Sequence, residues 1–440
     1  MLKTLRDAFR IKDIRKKLVF TFLMLVVIRL GSQLPVPGTN RDYFSNWFAS
    51  QQANGAFNFF SAFTGGSFER MSIFALNITP YITSSIIMEL LSIAIPQLEE
   101  MHRDGEDGRK KIQKITRYVT VALAAFESIA MTIGFGRQGL LEKVNFLNGL
   151  TVVVALTAGS AFLMWVGEQI TEKGVGNGIS IVLVINIISR IPEDLSTLFG
   201  QFVTPYKDRI ARAGLNLIVI VAIILLTIVL VIVLNDAIRK IPVQYAKKMQ
   251  GRRLVGGQSS FIPLKVNTAG VIPVIFASSL MSIPQMIVAF VGKSPSGIGG
   301  TIIGMLNQNN WFKPSAPIYS IGLVLYIVLI IFFAYFYTSI TFNPIEVADN
   351  IKKQGGSVPG VRPGKPTTEY LNKVLNYIIF IGAIGLTIVV LVPIIFNGLF
   401  NASVSFGGTS IIIIVSVILE TIKQIESQMQ VRNYKGFLNE

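Results

Sequence analysis

The sequence predicts an all-α integral membrane protein with ten transmembrane helices, plus one short re-entrant helix. Three observations predict it. Apolar residues make up 51% of the 440 and gather in long blocks, where a soluble core would alternate them with polar ones. Lys and Arg concentrate in the segments on one side of those blocks. One apolar stretch, Gly55 to Thr64, has only ten residues, about 15 Å as a helix against a bilayer core about 30 Å thick, so it can dip into a membrane and not cross it.

The spans lie near 18–35, 72–95, 118–135, 149–167, 178–192, 215–234, 268–291, 317–341, 374–396 and 408–424. The sixth, "LNLIVIVAIILLTIVLVIVL", runs twenty residues without a charge. It is far longer than a signal-peptide core, and apolar all round, as no soluble helix of that length needs to be. The fifth is short and ends "NIISRIP"; the tenth runs into "ETIKQIE". With a cytosolic N-terminus, the cytosolic segments carry 29 Lys and Arg and the outer segments 10, counting Arg190 at the outer end of the fifth span, with Arg29 inside the first span. That bias puts both termini inside and makes the number of spans even. Residues 1–192 then hold the first five spans and 193–440 the last five. An odd number per half turns the second half upside down relative to the first, the topology of an inverted repeat, with ten unrelated spans as the alternative.

The net charge of +16 belongs to the cytosolic face, where it can meet anionic lipid, RNA or an acidic protein. There is no cysteine, which excludes disulfides, thiolate nucleophiles and cysteine metal sites. The single histidine, His102 in "EEMHRDGEDGRKK", reads as a solvated loop residue with no second histidine to share a metal. "VGKS" at 291–294 resembles the tail of a phosphate loop, but its first glycine would fall on Ile287 and no strand precedes it. No catalytic residue, cofactor or metal is expected, so energy for transport must come from a partner or a gradient. Arg29, Glu89, Glu127 and Arg190 are the charges within spans. They suit the proton coupling of a small-solute transporter, or else they face a watery cavity or snorkel to an interface. Those readings stay open on composition alone.

Seven stretches, in order along the chain, carry a resemblance: "SIFALNITPYITSSII" (72–87), "GEQITEKGVGNGISI" (167–181), "YAKKMQGRR" (245–253), "PLKVNTAGVIPVIFASS" (263–279), "FNPIEVADNIKK" (342–353), "VPGVRPGKPT" (358–367) and "FGGTS" (406–410). Together they resemble the SecY family, the central subunits of bacterial protein-conducting channels. The resemblance implies a ten-span clamshell of two pseudo-symmetric, inverted five-helix halves with an hourglass pore and a lateral seam to lipid. It also implies that the short segment is a plug that closes the resting pore from the outer funnel: Ala56, Phe57, Asn58, Phe59, Phe60, Ser61, Ala62 and Phe63. Phe57, Phe60 and Phe63 recur every three residues and present an apolar helical face, and Gly65 and Gly66 follow as a flexible joint.

By the same resemblance the pore constriction is a ring of Ile78, Ile82, Ile179, Leu183, Ile275 and Ile413, with leucine at 183 where isoleucine is usual. The seam lies between the second span (78–91) and the seventh (267–287), whose helices Pro80, Pro273 and Pro284 interrupt. Thr83 and Asn267 match polar gate positions able to bond across it, and Glu89 stands where a neutral residue is usual. The cytosolic loops 235–267 and 342–373 form a docking surface, the first read as a projecting hairpin, with Lys247, Lys248, Arg252, Arg253 and Arg362 as contacts. Implied partners are the membrane subunits SecE and SecG, the ATPase SecA, the ribosome through its RNA, signal sequences and nascent chains, and lipids. The implied activity is translocation of unfolded secretory chains across the bacterial plasma membrane, with lateral release of hydrophobic segments.

Overall fold

The computed structural model describes residues 2–52, 64–136, 139, 141, 145–206, 210–245, 248–250, 253–255, 259–291, 297–312, 317–400 and 408–436. Every predicted span is met by a helix. In chain order, α1 (Leu2–Arg10) leads into α2 (Lys12–Gly31), the first span, and α3 (Arg41–Gln52) precedes the second, α4 (Thr79–Ala94). A short α5 (Pro96–Arg103) is followed by α6 (Gly105–Phe135), α7 (Phe146–Lys173) and α8 (Gly178–Phe202), the third to fifth spans. Then come α9 (Ile210–Asp236), α10 (Ile272–Val291), the short α11 (Ile298–Leu306), α12 (Ser320–Thr341), the short α13 (Pro344–Lys353), α14 (Lys365–Phe400) and α15 (Gly408–Gly436). Five of the described helical segments are long and apolar enough to cross a bilayer by length and composition alone.

The spans behave as helices in lipid. On α9 the charge-free run leaves Leu215, Ile218, Val221, Leu225, Val229 and Val233 exposed, a surface that only hydrocarbon solvates well. The hydroxyls of α6 show how a span uses its own backbone. Thr116, Thr120, Ser128 and Thr132 of α6 each donate to the carbonyl four residues earlier, at 2.6 to 2.9 Å, so none enters the apolar layer with its donor unused.

Helix boundaries depart from hydropathy where backbone chemistry decides. The block expected from 72 becomes helical only at Thr79, and residues 64–78 form a buried chain of turns. Met71 and Asn77 there hold φ of 48° and 53°, incompatible with a continuing right-handed helix. Pro80 and Pro273 stand in the first turns of α4 and α10, where a missing N–H costs nothing. They start helices rather than interrupt them, and only Pro284 of the three lies inside one. Pro192, expected to end the fifth span, is internal to α8, which continues to Phe202.

Helices α4, α6, α7 and α8 pack in sequence, as do α10, α12, α14, α9 and α15; α8 against α15 and α10 against α6 join the two sets. The largest core cluster draws on α4, α7, α8, α10, α12, α14 and α15 and sits where these sets meet. A smaller core of Ala8, Ile14, Val175 and Ile425, with Lys17 Nζ donating to Gln428 at 3.3 Å, brings the N-terminal helices and the far end of α15 to one face.

A small sheet lies outside the spans. Strand β1 (Ile238–Tyr245) pairs antiparallel with β4 (Ser259–Lys265), as the hairpin reading predicts, and β2 (Lys248–Gln250) with β3 (Arg253–Val255) forms its tip. The sequence reading did not foresee β5 (Gly356–Ser357), which comes from the loop 342–373 and pairs with the far edge of β1. Ile241, Val243, Leu264, Ile351, Val358 and Leu371 pack into one core beneath it, so the two loops are a single unit.

Candidate functional site

The six predicted ring residues lie at or near the starts of four helices. Ile78 occupies the position before α4, and its carbonyl accepts from Ile82 N–H at 3.0 Å, which stacks the two one turn apart. Ile179 and Leu183 fall in the first turns of α8, which Asn177 caps by accepting from Ser180 N–H at 3.3 Å. Ile275 lies in the first turn of α10 and Ile413 in the second turn of α15. Five of the six belong to the largest core cluster, and the sixth, Ile179, packs against it.

Above four of them opens a cavity of about 450 Å³. Its apolar end is Ile82, Ile179, Leu183, Ile275 and Phe276; its polar wall includes Gln113, Arg117, Glu168, Glu172 and Asn177. Glu168 accepts from Arg117 Nε at 2.7 Å and from Gln113 Nε2 at 3.3 Å, fixing α7 to α6 along that wall. A polar vestibule thus narrows onto an apolar floor. Such a floor can exclude ions by dewetting and offers a sliding chain no strong hydrogen bond.

Glu89 lines this vestibule and also a neighbouring cavity of about 710 Å³ between α4, α6 and α12. Its Oε2 has no hydrogen-bond partner among the described residues. Thr83 is half-buried on α4, and Pro273 is buried. Asn267 does not reach toward α4: its Nδ2 donates to Asn235 Oδ1 at 2.9 Å, at the end of α9. Across the divide, α10 packs on α6.

The predicted plug, 56–63, lies outside the described residues. Its expected flexible joint is pinned. Gly65 and Gly66 are buried, with φ of 60° and 79°, and a Cβ at Gly65 would meet the backbone of Asn186 on α8. Next to them Arg190, only 3% exposed, donates from a guanidinium nitrogen to Glu69 Oε2 at 2.8 Å. Arg190 therefore neither snorkels nor faces a watery cavity; it is held by a carboxylate that the turn supplies.

Of the basic docking candidates, Lys247 and Arg252 lie outside the described residues. Lys248 and Arg253 sit on the paired strands of the hairpin tip, where Arg253 pairs in register with Gln250. Arg362 is exposed between two glycines, 360 and 364, with φ of 81° and 98°, and its carbonyl accepts from Thr367 Oγ1 at 2.8 Å. The loop is thereby fixed with its guanidinium free to project.

The SecY family pattern matches residues 72–422. The chain belongs to the SecY family. A curated relative, the protein translocase subunit SecY of Halalkalibacterium halodurans, is 44% identical over the whole of both chains. A solved SecY channel, whose plug domain stabilises its closed state and maintains a membrane seal, superposes with a TM-score of 0.63 at 18% identity, covering 94% of this chain and 92% of that one. Sec61 in the canine ribosome-channel complex gives 0.58 at 17% identity, with 94% and 93% covered. The fold is that of the SecY and Sec61 channels, and SecY is a channel subunit and not an enzyme.

In this SecY-family chain, motif reading missed the polar residues placed behind the ring. Asn77, Ser160 and Asn186 form one buried group: Ser160 Oγ donates to the Asn77 carbonyl at 3.1 Å and Asn186 Nδ2 to Asn77 Oδ1 at 2.9 Å. The signal was an asparagine inside the apolar run "SIVLVINIIS", which in a span demands a partner.

Proposed function

We propose that this chain is the pore-forming subunit of a bacterial protein translocase. It conducts unfolded secretory polypeptides across the plasma membrane and releases hydrophobic segments sideways into the bilayer. The observation that carries this reading is the set of six apolar residues at the heads of four helices, under a vestibule with polar walls. The ring of Ile78, Ile82, Ile179, Leu183, Ile275 and Ile413 seals the resting pore against ions and deforms around a client of any sequence. Residues 56–63 are the plug, and the pinned turn that follows them is its anchor.

The two halves, 1–192 and 193–440, part along the side where α4 and α6 face α10, and an apolar client segment leaves there because lipid solvates it better than the vestibule does. Both termini and the stitched loops face the cytosol. Lys247, Lys248, Arg252, Arg253 and Arg362 are the contacts for ribosomal RNA phosphates during synthesis and for SecA carboxylates afterwards. SecE and SecG complete the membrane complex. SecA hydrolysing ATP, the ribosome or the proton-motive force supplies the work.

The test uses the absence of native cysteine. With Ile275→Cys in the channel and one cysteine in a secretory protein stalled midway by a folded C-terminal domain, membrane vesicles are given SecA and ATP. A disulfide that requires SecA, ATP and a signal sequence is expected. Equal reaction at a lipid-facing control such as Ile218→Cys, with none at position 275, would overturn the reading.

A further inference from the structure

Two of the ring-bearing helices carry a polar residue three positions beyond their ring residue: Asn186 after Leu183 on α8 and Ser416 after Ile413 on α15. Both are nearly closed to solvent, at 2% and 7% exposed. Asn186 is tied directly, and Ser416 through Asn235 at the end of α9, to an asparagine standing before the other ring-bearing helix on its side. Asn186 Nδ2 donates to Asn77 Oδ1 at 2.9 Å, and Asn77 immediately precedes Ile78. On the other side, Asn235 Nδ2 donates to Ser416 Oγ at 2.7 Å, while Asn235 Oδ1 accepts at 2.9 Å from Asn267, which leads into α10.

A close backbone approach accompanies each tie. A Cβ at Gly159 of α7 would collide with the Ile73 carbonyl oxygen, and one at Gly382 of α14 with the Val266 carbonyl oxygen. These features fall on the second, fourth and fifth spans in one case and the seventh, ninth and tenth in the other. The second set thus repeats the first five spans further on, as an inverted repeat requires, with Asn235 on the sixth span as an added link.

We propose that Asn77–Asn186 and Asn267–Asn235–Ser416 are two equivalent polar pins that hold the ring-bearing helices of each half at fixed spacing. The proposal rests on the ring assignment made above. Apolar side chains can slide past one another at little cost, so isoleucines packed on isoleucines do not by themselves fix the spacing of the helices that carry them. A hydrogen bond inside an apolar layer has one good geometry, and few competing partners are available there. Its placement one turn from the ring fixes the two helices where a small separation would wet the seal. The pins stay made when the halves part, so they position the ring and are not the gate.

The experiment records single-channel ion conductance of the purified complex in planar bilayers without a client. Asn186→Leu removes the donor of the first pin. Asn77→Gly removes the acceptor while tolerating the positive φ at that position. Each is expected to raise the resting open probability about three- to thirtyfold, the equilibrium factor of one interhelical hydrogen bond in a membrane. The double variant is expected to do no more than either single, because both break the same bond. Asn77→Asp, which keeps an acceptor at Oδ1, is expected to retain the seal. Ser416→Ala in the second pin, where Asn235 and Asn267 are half-buried, is expected to leak less than Asn186→Leu.

Rates of client translocation are expected to stay unchanged in all of these. Unaltered conductance in both single variants, additive effects in the double, or faster translocation would overturn the pins. Ile82→Asp keeps the two readings apart. A charge at that position leaks if the ring assignment is right, whatever the pins do, so a tight Ile82→Asp channel overturns the ring itself.

Discussion

Arg190 and Glu69 show how one charge pair can fix a non-helical turn against a span. The guanidinium is 3% exposed and the carboxylate 24%, so the pair is shielded on the arginine side and reaches water on the other. Truncating one partner of a desolvated charge pair costs about 2 to 5 kcal/mol, much of it from the charge left behind. Arg190→Met, which takes the arginine from the more exposed Glu69, is expected to lower the thermal unfolding midpoint of the detergent-solubilised protein, and Glu69→Gln, which takes the negative charge from the buried guanidinium, to lower it further. The double variant is expected to recover most of the loss. Additive losses would mean that the two residues act separately. The pair was hidden in the sequence because Glu69 and Arg190 are 121 residues apart. A lone arginine near a span's end reads equally well as an interfacial one.

At the scale of the element, Gly159 on α7 and Gly382 on α14 are where helices meet loops backbone to backbone. In an unconstrained helix, Gly to Ala is stabilising by about 1 kcal/mol. At these two positions the sign is expected to reverse, because the added methyl meets a carbonyl oxygen that cannot swing away. Melting curves of Gly159→Ala and Gly382→Ala, set beside Gly200→Ala on α8, which meets nothing within 4 Å, measure it. Stabilisation at all three positions would show the close approaches to be absent. The same contrast explains what hydropathy read well. Each of the ten spans was legible because a membrane demands apolar length from each helix on its own. The turns at 72–78 were not, because "SIFALNI" is as apolar as a helix there would be. Its non-helical backbone is held from outside, by Ser160, Asn186 and the space at Gly159. The ring residues stood out only through family resemblance, since isoleucine in a span carries no mark of its role. The hairpin was legible from its alternation, while β5, two residues long, gave no periodicity to read.

For the whole molecule, the meeting of α1 with the end of α15 fixes an even number of crossings. Single cysteines at Phe9 and Glu426 are therefore expected to react with a membrane-impermeant maleimide from the same, cytosolic side, while one at Ser45 on α3 reacts only from the other. Labelling of Phe9→Cys and Glu426→Cys from opposite sides would refute the topology. The sheet adds a mechanical side to this arrangement. Strands β1 and β4 run directly from α9 and toward α10, and β5 lies between α13 and α14, so a single ladder ties together connections that are far apart in the chain. Force applied at the hairpin tip is shared among these helices at once, as a wrench grips several flats of a nut. A handle for loading this channel is built where the two loops meet.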